Sequence, residues 1–535
     1  MSTATIYTRT PDHDMPGDAP ALDPRLRRIV VLGGGSAGWM AALLLARSLG
    51  PRGARIELVE SPTVPIIGVG EGSTPWMRGF FEMLDIEESE WMPACHATYK
   101  CGIRFDDWST KPGFERYFHP FASMLDNLTM SHFLHNAKAR TRGADVEVQP
   151  DRFFIAARLA EHDLAPKPRA DFPFDVWYGY HFDAGLLGQF LQTKAVERGI
   201  VHRVAHVETV DRHENGDIAA VRTREGDTIA ADFFIDCTGF AGLLIQKTLE
   251  TPFVPYTDNL FNDAAVALPS PIGERIPSQT VSSALSNGWM WRIPLTSRYG
   301  NGYVYSSAFC SADAAETELR ARLGMLDDPT PARHLKMRTG RVTEHWNRNC
   351  LAVGLSQGFI EPLEATALLF IQRTVSQFLS FAEAGELDDA ARARYNRTLN
   401  DQFEGTRDYI VTHYKTNSRE DTEYWRANAR NPHISDALKE LYRLWFSGEG
   451  IAKAVGEQTL GRGYAVLSWY ALFCGMGIFP EGAQLRAPDA RETRYRVADI
   501  DDLLTRSARN YPDHRALLGA IPPRYRAPSL QVYYW

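Results

Sequence analysis

Residues 28–60 constrain the fold of this chain more than any other stretch. Arg28-Ile29-Val30-Val31-Leu32 is a short, β-branched apolar run. Gly33-Gly34-Gly35-Ser36-Ala37-Gly38 follows, then Trp39-Met40-Ala41-Ala42-Leu43-Leu44-Leu45-Ala46, and the run Arg55–Glu60 ends in an acid. That order predicts strand, tight turn, helix and second strand, a βαβ unit that opens a parallel sheet. Gly33, Gly35 and Gly38 stand in G-x-G-x-x-G spacing. The first glycine permits the turn, the second lets a pyrophosphate approach the backbone, and the third lets helix and strand pack closely. The free N–H groups of the helix then face the phosphates. Glu60, about 20 residues further on, stands where a carboxylate accepts hydrogen bonds from a ribose 2′-OH.

A second element selects the dinucleotide. Ala231-Asp232-Phe233-Phe234-Ile235-Asp236-Cys237-Thr238-Gly239-Phe240 is an apolar strand ending in Asp236 and Gly239, far along the chain from the first unit. That separation suits FAD held across a split domain better than NAD on a compact one. Further strands are expected at Val201–Val210 and Ile218–Thr223, with a turn at Asn215-Gly216-Asp217. From about Gln372 onward, charged residues and Leu at helical spacing, over Gln372–Tyr414 and Ile434–Trp445, predict a mostly helical C-terminal third.

Composition excludes several classes. With 535 residues, 44% hydrophobic and 23% charged, the chain can bury a large core, and disordered, collagenous and coiled-coil readings fall away for its bulk. A net charge of -8 provides no cationic field for nucleic acid. Six scattered cysteines without a C-x-x-C pair argue against a zinc site or a disulfide framework, and fit a reducing cytoplasm. Residues 1–24, with four prolines and no apolar signal core, read as a disordered tail. Gly463–Pro480 is uncharged, but Ser468, Gly475, Gly477 and Pro480 shorten its apolar part, so a buried core helix is expected, not a membrane span.

Four motifs add chemistry: Trp289-Met290-Trp291-Arg292-Ile293-Pro294, followed by Gly302-Tyr303-Val304-Tyr305-Ser306-Ser307; Gly68-Val69-Gly70-Glu71-Gly72-Ser73-Thr74-Pro75; Lys100 within Cys95–Lys100; and Phe359-Ile360-Glu361-Pro362-Leu363-Glu364-Ala365-Thr366-Ala367. With these motifs the chain resembles the flavin-dependent halogenases of the tryptophan-halogenase type, from about Arg28 to Gln402 and more weakly to the end. The resemblance implies an α/β fold: a doubly wound FAD-binding module of the GR2-type, flavin-monooxygenase-like kind over residues 25–375, with a mostly helical substrate module over 376–535.

Roles follow from the resemblance. Trp289, Trp291 and Pro294 shield the flavin from organic substrates. Gly70, Glu71, Gly72 and Ser73 belong to a strap over the flavin, and Ser36, Ala37 and Gly354 join the glycines, Glu60, Asp236 and Gly239 as cofactor-binding positions. Lys100 matches the family's essential lysine and Glu364 its catalytic glutamate, although the residues alone leave Glu361 equally plausible. His119 and Phe121 match positions that sandwich an aromatic ring, and Tyr464 and Trp469 are candidate pocket residues. Thr366 and Ala367 match the halide-cradling backbone, with Ala367 where the family has glycine. That methyl, and its penalty at positive φ, suggests bromide over chloride. The implied reaction uses FAD as FADH2 with chloride or bromide and an aromatic small molecule or peptide. FADH2 would come from a separate NADH-dependent flavin reductase, since no nicotinamide fingerprint is visible; a homodimer is compatible. Ser447–Tyr464 lacks the Tyr, Glu and Phe set that clamps free tryptophan in the family, so an indole without the amino-acid end, or a larger molecule, is the expected substrate. A flavin monooxygenase that hydroxylates its substrate and a non-catalytic flavin-binding protein are the alternatives.

Overall fold

The computed structural model describes residues 21–63, 70–480 and 485–520. The expected tail lies almost wholly outside them, as do Gly68 and Val69. Of the tail, Pro24 already opens a short helical turn, Pro24–Leu26, that buries Leu26.

The glycine-rich unit forms as its pattern demands. Arg28–Leu32 pairs in parallel with Arg55–Glu60 on one side and with Phe233–Asp236 on the other, so the two distant strands that suggested a split FAD domain are neighbours. Cys350–Ala352 and Val201–Val204 extend this parallel sheet, and Trp346–Asn347 closes one edge antiparallel. The helix Ser36–Leu49 packs on it with Trp39, Met40, Ala41, Leu43, Leu44 and Leu45 all buried, since a helix between a sheet and other helices has almost no wet face. The run Val201–Val210 is not one strand. It breaks after Val204, and Val207–Arg212 turns back through Asn215-Gly216-Asp217 to pair with Ile218–Thr223.

A second, seven-stranded sheet carries the tryptophan motif at its centre. Its order is 333–336, 264–270, 299–305, 288–294, 280–285, 102–106 and 116–120. A small sheet, in which Gly179–Asp183 is flanked by Gly70–Gly72 and by Thr98–Lys100, packs against the seven-stranded one. The chain passes from this small sheet to the large one across Cys101 alone, whose N–H donates to Ser278 O at 2.7 Å.

The C-terminal part is helical, as the spacing suggested, although Gln372–Tyr414 is two helices, Ala367–Glu383 and Asp389–Lys415. Within Gly463–Pro480 only Val466–Gly475 is helical and it is buried. Among the described residues no helix is long and apolar enough to cross a membrane. One large core joins the helices to the seven-stranded sheet through Trp108, Tyr117, Trp289, Phe403, Tyr409 and Trp425. The cysteines are unpaired.

Candidate functional site

The glycine turn is shaped for a bound diphosphate. Gly33 has φ +115° and a Cβ there would lie 2.2 Å from Cys237 O; a Cβ at Gly38 would lie 1.9 Å from Gly33 O. Those two glycines are needed by the fold itself. At Gly35 an added Cβ meets nothing within 4 Å, and Gly35 caps the helix without any side-chain hydrogen bond. Open space in front of uncapped N–H groups fits an anionic group of FAD. Gly239, at φ +65°, is equally open, whereas Gly354 lies against the methyl of Ala37. Glu60 crosses the turn at Gly34 and its Oε1 is 2.7 Å from His202 Nε2. One Glu60 oxygen is thus held by a residue that sequence reasoning did not pair with it. Asp236 needs correction as a cofactor ligand. Its oxygens accept from the N–H groups of Thr238, Leu244 and Ile245 and from the Thr238 hydroxyl, so the carboxylate organises the turn after the strand.

The strap and the lysine share one sheet. Gly72 pairs with His181, and Lys100 with Gly179 on the same middle strand. A Cβ at Gly72 would sit 3.2 Å from Lys100 Nζ, so glycine there is what admits the amine. Ser73 is fixed by exchanging hydrogen bonds with the backbone of Tyr180. Burial pushes the Glu71 carboxyl, near Asp183, up to about 7. Lys100 is fully buried and its Nζ has no hydrogen-bond partner. Burial pushes the amine down to about 7, with Glu364 pulling the other way. Beside it, burial and Lys100 hold the His181 imidazole well below its ordinary range, and its two nitrogens lie 3.0 Å from the hydroxyls of Thr98 and Thr280.

Glu364 sits between two imidazoles. Its Oε2 is 3.1 Å from His119 Nδ1 and its Oε1 is 3.3 Å from His413 Nε2. Burial pushes the Glu364 carboxyl up, but His119 and His413 outweigh that and hold it down at about 2. His413 also lies 3.3 Å from the Tyr117 hydroxyl and 3.1 Å from Tyr409 O. The sequence offered no sign of His413, because a histidine inside a helix far from any motif is usually a core residue. His119 is therefore tied to the carboxylate as well as to the expected ring-binding position, while the Phe121 ring centre is 5.6 Å from Lys100 Nζ.

The turn Pro362–Glu364 ends with Ala365 at φ +55°, and Ala367 then opens the helix Ala367–Glu383. The halide expectation is corrected here: positive φ falls on Ala365, and Ala367 carries no such penalty. Of the two grounds for bromide over chloride, the conformational one falls away and the added methyl of Ala367 remains. Thr366 and Ala367 still present their N–H groups at a helix start with no side-chain cap.

Trp289, Trp291 and Pro294 are buried on the central strand Gly288–Pro294. The Trp289 indole N–H donates to Glu361 Oε2 at 3.2 Å. The Trp291 ring occupies the space above Gly302, where a Cβ would come within 2.1 Å of it. Tyr464 stacks on Tyr409 at 3.7 Å, and its hydroxyl is buried without a partner. Trp469 is a correction: it is fully buried, donates to Gly461 O and meets Tyr409 edge-on at 4.9 Å, so it props up Tyr409.

Comparison with known proteins shows the family and the fold. Residues 28–491 match the family model described as tryptophan halogenase. The tryptophan 6-halogenase SttH of Streptomyces toxytricini is 38% identical over 451 residues, 78% of this chain and 83% of SttH. The tryptophan 7-halogenase RebH of Lentzea aerocolonigenes is 33% identical over 500 residues, 88% and 93% of the two chains. The solved structure of Xcc4156, a flavin-dependent halogenase from Xanthomonas campestris, superposes with a TM-score of 0.78 at 31% identity, over 94% of this chain and all of that one. The chain belongs to the tryptophan-halogenase family of flavin-dependent halogenases.

Proposed function

We propose that this enzyme halogenates an indole-type aromatic ring with FADH2, O2 and a halide, delivering the halogen at Lys100 and removing the ring proton at Glu364. The observation that carries the reading is a buried amine without a hydrogen-bond partner, close enough to feel the charge of Glu364, whose carboxyl lies between the His119 and His413 imidazoles. When bound, reduced FAD with O2 supplies the oxidising power that turns halide into hypohalous acid. Gly33, Gly35, Ser36, Ala37, Gly38, Glu60, Gly239, Gly354 and the strap Gly70–Ser73 would hold it. Trp289, Trp291 and Pro294 keep the organic ring away, so that only a small oxidant passes. Lys100 then orients or captures the electrophilic halogen at one point. As the arene gains positive charge, Glu364 stabilises it and accepts the departing proton, with His119 holding Oε2 and Oε1 left without a hydrogen bond beside His413. Several kcal/mol of barrier reduction from each group is the expected scale, about 1.4 kcal/mol per tenfold in rate.

Free tryptophan is not the preferred substrate in this reading, although SttH and RebH are named for it. In the stretch where a clamp for its amino-acid end belongs, Glu449 is exposed and paired with Arg443, and Tyr464 offers only a hydroxyl. A desolvated zwitterion would lack charged partners there. A separate NADH-dependent flavin reductase supplies the reduced flavin.

Mass spectrometry of indole and tryptophan turnover with reductase, NADH, FAD and bromide tests this. Brominated indole that disappears in Lys100→Ala, with tryptophan converted more slowly, is the expected result. Oxygenated product would favour a monooxygenase, and equal turnover of tryptophan would remove the substrate assignment.

A further inference from the structure

Glu361, three residues before Glu364, has no part in the reaction as described, yet it is among the most elaborately held carboxyls in the molecule. It is 2% exposed and precedes the Pro362–Glu364 turn. Its Oε2 accepts from three donors on three separate elements: the Tyr414 hydroxyl, Asn262 Nδ2 at 3.1 Å and the Trp289 indole N–H at 3.2 Å. Tyr424 donates to Asn262 Oδ1 at 2.9 Å and extends the network to another helix. The other Glu361 oxygen is buried without a partner. None of those donors is a cation. A group that only filled space would be cheaper as a hydrocarbon, because a half-satisfied buried polar network is costly.

What the carboxyl does geometrically is join two parts of the site. Through its backbone it belongs to the turn that carries Glu364. Through Oε2 it grips the first tryptophan of the shield. Trp291, whose own indole N–H has no partner, is located by its contact with Gly302 instead. Trp289 is thus the shield residue that a hydrogen bond ties to the catalytic turn.

Resting on the halogenation reading above, we propose that Glu361 is a positioning residue that locks the Trp289 indole to the Glu364 turn and so confines the oxidised halogen on its way to Lys100. Its removal uncouples the reaction: oxidant is still made, but escapes before it reaches the ring. Glu361→Gln keeps an acceptor oxygen for the same three donors; Glu361→Leu keeps only the volume.

Two readouts test this. In the apoprotein labelled with 15N-tryptophan, the Trp289 indole resonance, assigned by its loss in Trp289→Phe, shifts in Glu361→Leu and stays near its parent position in Glu361→Gln. In the complete system with reductase, NADH, FAD, bromide and indole, brominated product per NADH consumed falls at least about fivefold in Glu361→Leu, with KM for indole changed less than about threefold. A diketone trap in the medium collects the missing hypohalous acid, and Glu361→Gln recovers coupling to within about twofold. Trp289→Phe leaks in the same way, and the double variant is no worse than either single one. Parent-like coupling in Glu361→Leu, or additive losses in the double variant, overturns the proposal. Should Glu361→Leu fail to fold, parent-like coupling in Trp289→Phe overturns it. If the parent makes no brominated product at all, the halogenation reading fails, while the indole resonance still reports whether Glu361 holds Trp289.

Discussion

Lys100 and Glu364 are both buried and both are shifted down, which drives the amine towards its neutral form and the carboxyl towards its charged form. Against its burial, Glu364 is held down at about 2 by His119 and His413, while burial brings the Lys100 amine down to about 7, within reach of neutral pH. The consequence for stability follows from proton linkage. Between about 7 and its ordinary 10.5, the unfolded chain binds a proton at Lys100 that the folded chain does not, so this group's destabilisation is complete below 7 and fades as pH rises. Lys100→Met removes an unpartnered amine from the interior. It should raise stability at pH 7 by about 1–3 kcal/mol, by less at pH 10, and abolish halogenation; thermal unfolding at the two pH values and a bromination assay measure this. If Lys100 captures the halogen as the free amine, kcat climbs with pH through about 7. A kcat that falls through the same range would assign the ammonium as a hydrogen-bond donor instead.

Trp291, the shield residue whose indole N–H has no partner, is located by its strand contacts. Trp291 stands opposite Gly302 on the neighbouring strand, and a methyl at that glycine would enter the indole ring at 2.1 Å. Gly302→Ala should therefore cost about 1–3 kcal/mol in apoprotein stability. It should also tilt Trp291 enough that product per NADH drops, whereas a Trp291 that tolerates the methyl would leave both unchanged. Elements of this kind were readable from the sequence where the signal is local. The strand, glycine turn and helix at 28–46 follow from the apolar run and glycine spacing alone. The carboxylate between His119 and His413 did not, because its partners lie 245 residues before it in one case and inside an unmarked helix in the other. Trp469 misled for a related reason: an aromatic side chain near a site looks the same in sequence whether it lines the cavity or supports the ring that does. Ala365 shows a further limit, since which residue of Ala-Thr-Ala takes the left-handed conformation depends on where the following helix begins.

For the whole molecule, the three fingerprint glycines divide into two kinds, and FAD-linked stability can separate them. A methyl added at Gly33 or Gly38 would meet backbone oxygen at 2.2 or 1.9 Å, whereas Gly35 adopts an extended conformation with φ −75° and ψ −179° and has nothing within 4 Å. Alanine at Gly33 or Gly38 must push strand and helix apart, and should destabilise the apoprotein by about 1–3 kcal/mol or more. Alanine at Gly35 has room and a permitted backbone, so the apoprotein should melt within about 2 °C of the parent. Its methyl projects into the space where a diphosphate would lie against the helix N-terminus. FAD at about 100 times its Kd stabilises a folded protein by about 2.7 kcal/mol, and this increment should shrink strongly in Gly35→Ala as affinity falls at least about tenfold. Melting curves with and without FAD for the three alanine variants make the comparison. An unchanged FAD increment in Gly35→Ala would mean that the open space before the helix serves something other than the cofactor's phosphates.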